Sequence, residues 1–372
     1  MMDTIIEFLI TAKDKRKPWK VKHVLSDIVL LIFFARLSGA EHWDDIEEFG
    51  IAYEKSLGTV LKLENGIPSH DTLQRVFATL DPQVLIEVTQ MWPDLLEESD
   101  LSSRNLFSFS KRLVAIDGKT IRGNGSTKQK ALHVVTAYAT DLGISYGQVA
   151  TNEKSNEITA IPELLDIISV KGCMVSIDAM GTQKAIADKI IKKKADYCLA
   201  VKENQRTLLE DIVLFFETSQ EPDDHCHTVE KAHGQIETRG YDVIHDVSWL
   251  RKTHPEFSHI QSIGRARLHI DNNGQASEES RYFILSCQVS AREFEEYVRG
   301  LWQIESMHWL LDVVFREDAN KTLNKQLAFN LNVMDKFYIA VLKRMDFGKK
   351  MSMRRKKYVL SLSFDKYLKK IT

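Results

Sequence analysis

The sequence predicts a mixed α/β protein, in which a mixed β-sheet is flanked by helices. Three stretches of the chain support this prediction. Helical periodicity fills residues 1–100, short apolar segments alternate with helical ones from residue 111, and β-like texture interrupts them over residues 219–290 before helical periodicity returns at Ala291. A strand, a hairpin and then alternating helices and strands are typical of a mixed sheet with helices on its faces.

The N-terminal region contains one amphipathic helix that could bind DNA. Within GIPSHDTLQRVFATLDP, apolar residues recur at the i, i+3, i+4 and i+7 positions of one helical face, namely Leu73, Val76, Phe77 and Leu80. Thr72 and Arg75 then face outward, as DNA-contacting side chains of a helix-turn-helix do. The pattern fits a plain helical bundle equally well, because a short helix does not distinguish the two.

The predicted sheet is built from five short apolar segments. They are LVAID (113–117), ALHVVTAYAT (131–140), ISYGQVAT (144–151), CMVSID (173–178) and YCLAV (197–201). Helical segments over residues 158–168 and 182–193 separate the last three, and further helices are predicted over 291–315 and 323–344. The second and third strands are predicted to form a hairpin.

Two carboxylates stand where strands of this sheet are predicted to end. Asp117 ends VAID and precedes Gly118, whereas Asp178 ends VSID and precedes Ala179. Functional groups of open α/β sheets collect at strand ends, and two neighbouring carboxylates favour a divalent cation because their charges repel. The alternative is an ordinary turn residue after each strand, and a single such position favours that alternative.

A third polar group lies on the predicted helix EYVRGLWQIESMHWLLDVVFREDA. Glu305, His308, Trp309 and Asp312 have the i, i+3, i+4 and i+7 spacing of one helical face. If that face is directed at the core, its ionisable groups need a compensating partner, which Arg299 or a metal ion could supply. Periodicity alone favours the alternative, a salt-bridged surface helix.

Other polar segments carry weaker signals. Lys202 and Asn204 directly follow the strand YCLAV, where they could contact a phosphate backbone or cap the next helix. In RARLHI (265–270) the basic residues alternate with apolar ones and share one face, which fits a solvated sheet better than a DNA contact. The cluster HCH (225–227) has no paired motif at zinc spacing and is interpreted as part of a loop.

Composition limits the class of protein and its compartment. The chain has 50 Lys and Arg against 52 Asp and Glu, a formal net charge of −2, which by itself does not suggest a nucleic-acid partner. Twelve Lys or Arg and two acids lie after residue 335, however, which leaves an excess of twelve negative charges before it. Four separated cysteines without a CxxC pair, no signal peptide and no long apolar run predict a cytoplasmic protein without a membrane segment.

Five sequence blocks follow one another in order: VAIDGKTIRG, EKSNEITAIPELL, VSIDAMGTQ, YCLAVKENQ and RGLWQIESMHWLLDVVFREDA. Together with LSGAEHWDDIEEFG and GIPSHDTLQRV, they resemble the insertion-sequence DDE transposases, specifically the H-repeat-associated subfamily linked to Rhs elements. The resemblance covers nearly the whole chain. Departures occur next to Glu305, where Leu301-Trp302 and Ser306 replace the usual His-Trp and Asn of the subfamily.

The resemblance implies an RNase H-like mixed sheet flanked by helices, with an N-terminal helical domain and a β-rich insertion. It implies a catalytic and metal-binding triad at Asp117, Asp178 and Glu305, with two Mg²⁺ or Mn²⁺ ions for DNA cleavage and strand transfer. The candidate DNA contacts are Lys119, Arg122, Lys202, Asn204, Arg299, Thr72 and Arg75, and the supporting residues are His308 and Asp312.

The predicted domains follow from these segments. They are an N-terminal helical (transposase-associated) domain over 1–105, a catalytic core over 106–218 and 291–346, the insertion over 219–290 and a basic tail over 347–372. The predicted partners are double-stranded DNA, both element ends and target, and a second copy of the chain, with a nucleoid-associated location. Two alternatives remain, a DNA-binding remnant that has lost catalysis and a metal-independent glycosidase that uses a carboxylate pair.

Overall fold

The structure is a computed structural model that describes residues 2–100, 111–151, 157–218, 221–232, 235–272 and 275–371. Its strands are β1 (Leu113–Ile121), β2 (Leu132–Ala139), β3 (Ile144–Thr151), β4 (Met174–Ile177), β5 (Asp196–Val201), β6 (Asp224–Ala232), β7 (Gln235–Ile244), β8 (Ser262–Asn272) and β9 (Gln275–Leu285). They form one sheet in the order β3-β2-β1-β4-β5-β9-β8-β7-β6.

The half of the sheet that contains β1 to β5 is mixed. β1 pairs antiparallel with β2 and parallel with β4, which is in turn parallel to β5. The helices α7 (Glu157–Ile167), α8 (Lys184–Lys192) and α9 (Arg206–Thr218) follow the strands in turn. This mixed sheet flanked by helices confirms the RNase H-like fold class.

The β-rich insertion is confirmed, and its strands extend the same sheet. β9 pairs antiparallel with β5, and β8, β7 and β6 follow outward, with the short helix α10 (Ser248–Thr253) between β7 and β8. The cluster HCH was wrongly interpreted as a loop, because residues 225–227 pair with residues 240–242 within β6 and β7. Arg265 and Arg267 on β8 both form ion pairs with the buried Asp242. Two of the basic side chains on this face of β8 are therefore paired within the protein.

The N-terminal residues form a helical bundle. Its helices are α1 (Met2–Thr11), α2 (Leu25–Leu37), α3 (Trp43–Ala52), α4 (Glu54–Leu57), α5 (His70–Thr79) and α6 (Pro82–Asp100). α5 is the predicted amphipathic helix, with Leu73, Val76 and Phe77 buried and Arg75 exposed. No described helix combines the length with the apolar composition that crossing a membrane requires.

The C-terminal residues return to this bundle. After α11 (Ala291–Val313) and α12 (Lys325–Arg344), the basic segment folds into α13 (Met353–Leu362) and α14 (Phe364–Ile371). Phe364 is fully buried against Phe34, Phe49 and Tyr53 of the N-terminal helices. One apolar core therefore joins both ends of the chain to one face of the sheet. The boundary predicted at residues 105 and 106 lies outside the described residues.

Candidate active site

The first two candidate carboxylates lie side by side at one edge of the parallel strand pair. The register of β1 and β4 ends with Ile116 opposite Ile177, so Asp117 and Asp178 follow at equivalent positions. β1 was predicted to end at Asp117 but continues to Ile121, because residues 117–121 still pair with β2. Asp178 instead leaves the sheet and caps a short turn by accepting a hydrogen bond from the backbone N–H of Met180 at 3.1 Å.

The third carboxylate, Glu305, reaches this edge from α11. The helix packs against β1, and Gly300 permits the close approach because a Cβ there would collide with the side chain of Leu113. The capping box of Ser290 and Glu293 fixes the start of α11. Glu305 is one and a half turns beyond Gly300, on an exposed part of the helix.

The charge of Asp117 acts on each of the other two candidate carboxylates. Burial and the charge of Asp117, with a further contribution from Glu157, raise the pKa of Asp178. Partial burial and the charge of Asp117 also raise the pKa of Glu305. Nearby like charges disfavour the ionised form, so both shifts report carboxylates within range of Asp117. The fold places Asp117 and Asp178 at equivalent positions of adjacent strands, and Glu305 within electrostatic range of Asp117.

The two predicted supporting residues lie on the same face of α11. His308 Nδ1 is 3.4 Å from Asp117 Oδ2, which places the imidazole against the candidate ligand. Asp312 accepts a hydrogen bond from Lys119 Nζ at 2.7 Å. The cation that compensates this helix face is therefore Lys119, whereas Arg299 pairs with Glu230 at 2.8 Å and with Glu295 at 3.4 Å.

Comparison with known proteins identifies the family. Residues 6–93 match the model described as DDE_Tnp_1-associated, and residues 108–334, more than half of the chain, match the transposase DDE domain. The chain belongs to the transposase DDE domain family.

Relatives of this transposase-family chain include H-repeat-associated proteins. It is 36% identical over 360 residues to the H repeat-associated putative transposase YhhI of Escherichia coli (strain K12), covering 91% of this chain and 93% of that protein. It is 37% identical over 336 residues to the putative transposase YncI of Escherichia coli O157:H7, covering 86% and 82%. A solved piggyBac transposase synaptic complex with hairpin DNA has a TM-score of 0.41 at 12% identity, over 99% of this chain and 79% of that chain.

The remaining predicted DNA contacts of the family member fall into two groups. Arg122, Lys202 and Arg75 are exposed. Asn204 instead donates a hydrogen bond to the carbonyl of Ala179 at 2.6 Å, and so fixes the turn that begins at Asp178. Thr72 is half-buried and accepts a hydrogen bond from Ser69 Oγ at 3.2 Å.

Sequence reasoning missed two groups at this edge. Arg281 of β9, with His308 and Lys202, opposes the rise in the pKa of Glu305, so the insertion contributes a cation to the site. Behind Asp178, the buried His133 lies 2.6 Å from Glu157. Gly118 leaves room for this pair, because a Cβ at residue 118 would collide with both side chains. Glu157 belongs to the sequence block EKSNEITAIPELL, and its place in that block is the sequence signal that could have identified it.

A buried polar network under the site was also missed. Thr136 is the cross-strand neighbour of Asp117, and Gln148 is the neighbour of Thr136. Lys336 of α12 donates hydrogen bonds to Thr136 Oγ1 at 2.6 Å, Gln148 Oε1 at 2.7 Å and Asn332 Oδ1 at 2.8 Å.

This network continues to the ion pairs of Lys119. Asn332 donates a hydrogen bond to Glu317 at 2.5 Å, and Glu317 lies 2.9 Å from Lys119 Nζ. Lys119 is predicted to contact DNA, but its side chain is only 10% exposed in this arrangement. The chain of contacts links β1, which carries Asp117, to α11 and α12.

Replacing Lys336 by Met is expected to lower the free energy of unfolding by about 1–3 kcal/mol, because buried oxygens of Thr136, Gln148 and Asn332 lose their donor. Burial lowers the pKa of Lys336 to about 7, with Glu317 and Lys119 as the nearby charges. Between about pH 7 and pH 10 the lysine is protonated in the unfolded chain but largely neutral in the folded one. The free energy of unfolding of the wild type should therefore rise with pH across this range.

The measurement for Lys336→Met is urea unfolding at pH 7 and pH 9. The destabilisation should be larger at pH 9 than at pH 7. Lys343→Met, at an exposed position of the same helix, is the control and should change stability by no more than about 1 kcal/mol. Equal stabilities of the two variants would contradict the buried network.

The donor set fits divalent metal ions. Among the described residues, no three His, Cys, Asp or Glu side chains already surround a single point as a ligand set. Mg²⁺ in phosphate-transfer sites is bound by only one or two carboxylates, while waters and substrate phosphates complete its shell. Asp117 with Asp178, or Asp117 with Glu305, could supply such a pair. Burial and the nearby charge of Asp117 raise the pKa of Asp178 and of Glu305, and a bound cation would offset that charge.

Proposed function

We propose that the protein is an active DNA transposase, which cleaves DNA strands at the ends of its element and transfers them to target DNA with two bound Mg²⁺ or Mn²⁺ ions. The observation that carries the proposal is the adjacency of Asp117 and Asp178 where the parallel pairing of β1 and β4 ends, and burial together with the charge of Asp117 raises the pKa of both Asp178 and Glu305. Membership of the transposase DDE domain family supports the same chemistry.

Each carboxylate has a distinct role in this proposal. Asp117 would hold both ions, Asp178 one of them and Glu305 the other. When bound, two such ions activate the attacking water or 3′-hydroxyl and stabilise the leaving oxygen. Asp117 is suited to the shared position because it is the central charge, the one that acts on both of the others.

Other residues position these ligands and the DNA. His308 restrains the Asp117 carboxylate, and Asn204 restrains the turn that carries Asp178. Arg122 and Lys202 are exposed cations suited to contacting the phosphate backbone of double-stranded DNA. The proposal includes a homodimer in the DNA complex, since strand transfer brings two element ends together.

Removal of the metal is the test of the proposed function. The purified protein is expected to nick a duplex containing its element ends in Mg²⁺ or Mn²⁺, and to stop when EDTA is added, while a gel shift without metal still detects DNA binding. Binding without cleavage in any divalent metal would favour the remnant. Hydrolysis of glycosides that is indifferent to EDTA would favour the glycosidase.

A further inference from the structure

The segment between α1 and α2 is the most basic part of the N-terminal region. We call residues 12–24 the strap. It contains Lys13, Lys15, Arg16, Lys17, Lys20 and Lys22, with Asp14 as its one acid. This excess of five positive charges lies in a part of the chain, residues 1–335, whose sum is strongly negative. The function proposed above does not use it.

The fold holds the strap in place. Arg16 pairs with Asp14 at 2.6 Å, Lys15 pairs with Asp81 at 3.2 Å, and Asn65 donates a hydrogen bond to the carbonyl of Lys22 at 2.6 Å. Asp14 is already counted in the excess of five, and Asp81 offsets one further charge, so an excess of four positive charges remains on the strap. Its cations are therefore displayed on a defined backbone.

The side chains that the strap presents outward are of the types that commonly bind nucleic acids. Lys17, Lys20 and Lys22 are exposed, and between them Trp19 is 77% exposed. Lys17 Nζ lies 5.4 Å from the centre of the indole ring. An exposed aromatic ring among lysines combines a stacking surface with contacts to phosphates.

The strap is continuous with the outward face of α5. Lys13, Lys15 and Arg16 line one side of a groove of about 480 Å³, and Arg75 and Thr79 of α5 line another. Arg75, a candidate DNA contact from its place on the helix, therefore belongs to the same surface as the strap. Asp14 and Asp81 also line this groove and pair with Arg16 and Lys15, so Lys13 from the strap and Arg75 from α5 supply its remaining positive charge.

We propose that the strap and α5 form a DNA-binding surface on the N-terminal bundle, in which Lys17, Lys20 and Lys22 bind backbone phosphates and Trp19 packs against a sugar or base. The proposal rests on the proposed function, since it supplies a second contact with the DNA that is cut at the carboxylates. A membrane is the less suitable partner, because interfacial binding requires an amphipathic helix with a broad apolar face, and the strap offers one indole among charges.

The test compares three variants of the full chain by fluorescence anisotropy on an element-end duplex at several salt concentrations. Lys17→Ala/Lys20→Ala/Lys22→Ala should bind more weakly and flatten the slope of log K against log salt by about 2.7, or 0.9 per lost phosphate contact. Trp19→Ala should weaken binding to the duplex about threefold or more with an unchanged slope, because the substitution removes the packing of the indole but no phosphate contact. Lys171→Ala/Lys192→Ala/Lys252→Ala removes three exposed lysines elsewhere and should match wild type.

The outcomes separate this surface from the proposed function. If the wild type binds and cleaves DNA but the strap variants keep its affinity and salt slope, the strap does not bind DNA. The proposed function then stands. Binding of wild type to phosphatidylglycerol vesicles that Trp19→Ala abolishes, with DNA affinity unchanged, would assign the strap to a membrane. If wild type neither binds nor cleaves DNA, both proposals fail. Melting temperatures confirm that all variants are folded.

Discussion

Asp117→Asn, Asp178→Asn and Glu305→Gln are each expected to reduce Mg²⁺-dependent DNA cleavage by at least about 10³-fold. Metal ions stabilise the charge of the transition state by several kcal/mol, and each 1.36 kcal/mol corresponds to a factor of ten in rate. Amide side chains preserve the size of each group but remove the charge that holds the ions. Cleavage of a labelled element-end duplex measures the rate, and a gel shift in EDTA should detect nearly unchanged DNA binding.

The same variants separate catalysis from folding. Asp178 has its pKa raised by burial and by Asp117, so its ionised form opposes folding at neutral pH in the absence of metal. Asp178→Asn should therefore raise the melting temperature of the metal-free protein while it abolishes cleavage. Glu203→Gln removes an exposed carboxylate from the turn after β5 and is the matched control. Normal cleavage by any one of the three variants would remove that residue from the triad.

Phe364→Ala is expected to lower the free energy of unfolding by about 3–5 kcal/mol. Phe364 is fully buried, and its ring centre lies 4.9 Å from that of Phe49, 5.1 Å from that of Tyr53 and 5.7 Å from that of Phe34. Truncation of this ring leaves a cavity where the C-terminal helix joins the N-terminal bundle. Denaturant unfolding gives the size of the effect.

A control is available on the neighbouring helix. Leu362 is 64% exposed, so Leu362→Ala should change the free energy of unfolding by no more than about 0.5 kcal/mol. Similar losses in the two variants would contradict the packing of α14.

The basic C-terminal segment is also predicted to contribute to DNA affinity. Deletion of the segment would remove the packing of α14 as well as the positive charges. Its contribution to DNA affinity is therefore best measured with charge substitutions at exposed positions such as Arg354 and Arg355.

Local patterns predicted the parts of the site that depend on strands and single helices. VAID and VSID are apolar runs that end in a carboxylate, and adjacent parallel strands place such positions side by side. The spacing of Glu305, His308 and Asp312 put them on one helical face, and the structure keeps them there. What periodicity could not decide was the partner of that face, because Lys119 comes from a distant segment.

Contacts between distant segments account for what was missed. Lys336 was counted only as one of the basic residues after residue 335, yet its partners Thr136 and Gln148 lie 200 and 188 residues earlier in the chain. The C-terminal segment was interpreted by its charge alone. Its apolar residues nevertheless recur at i, i+3, i+4 and i+7, namely Phe364, Tyr367, Leu368 and Ile371, and this pattern predicts the buried face that α14 has.

Metal binding at the three carboxylates is the central claim, and electron paramagnetic resonance of Mn²⁺ tests it most directly. Wild type should bind two Mn²⁺ ions per chain in the presence of an element-end duplex, and Asp178→Asn and Glu305→Gln should each bind one fewer. Asp117→Asn should lose both, because Asp117 is the shared ligand. Two Mn²⁺ ions bound by the variant that carries all three substitutions would contradict the account.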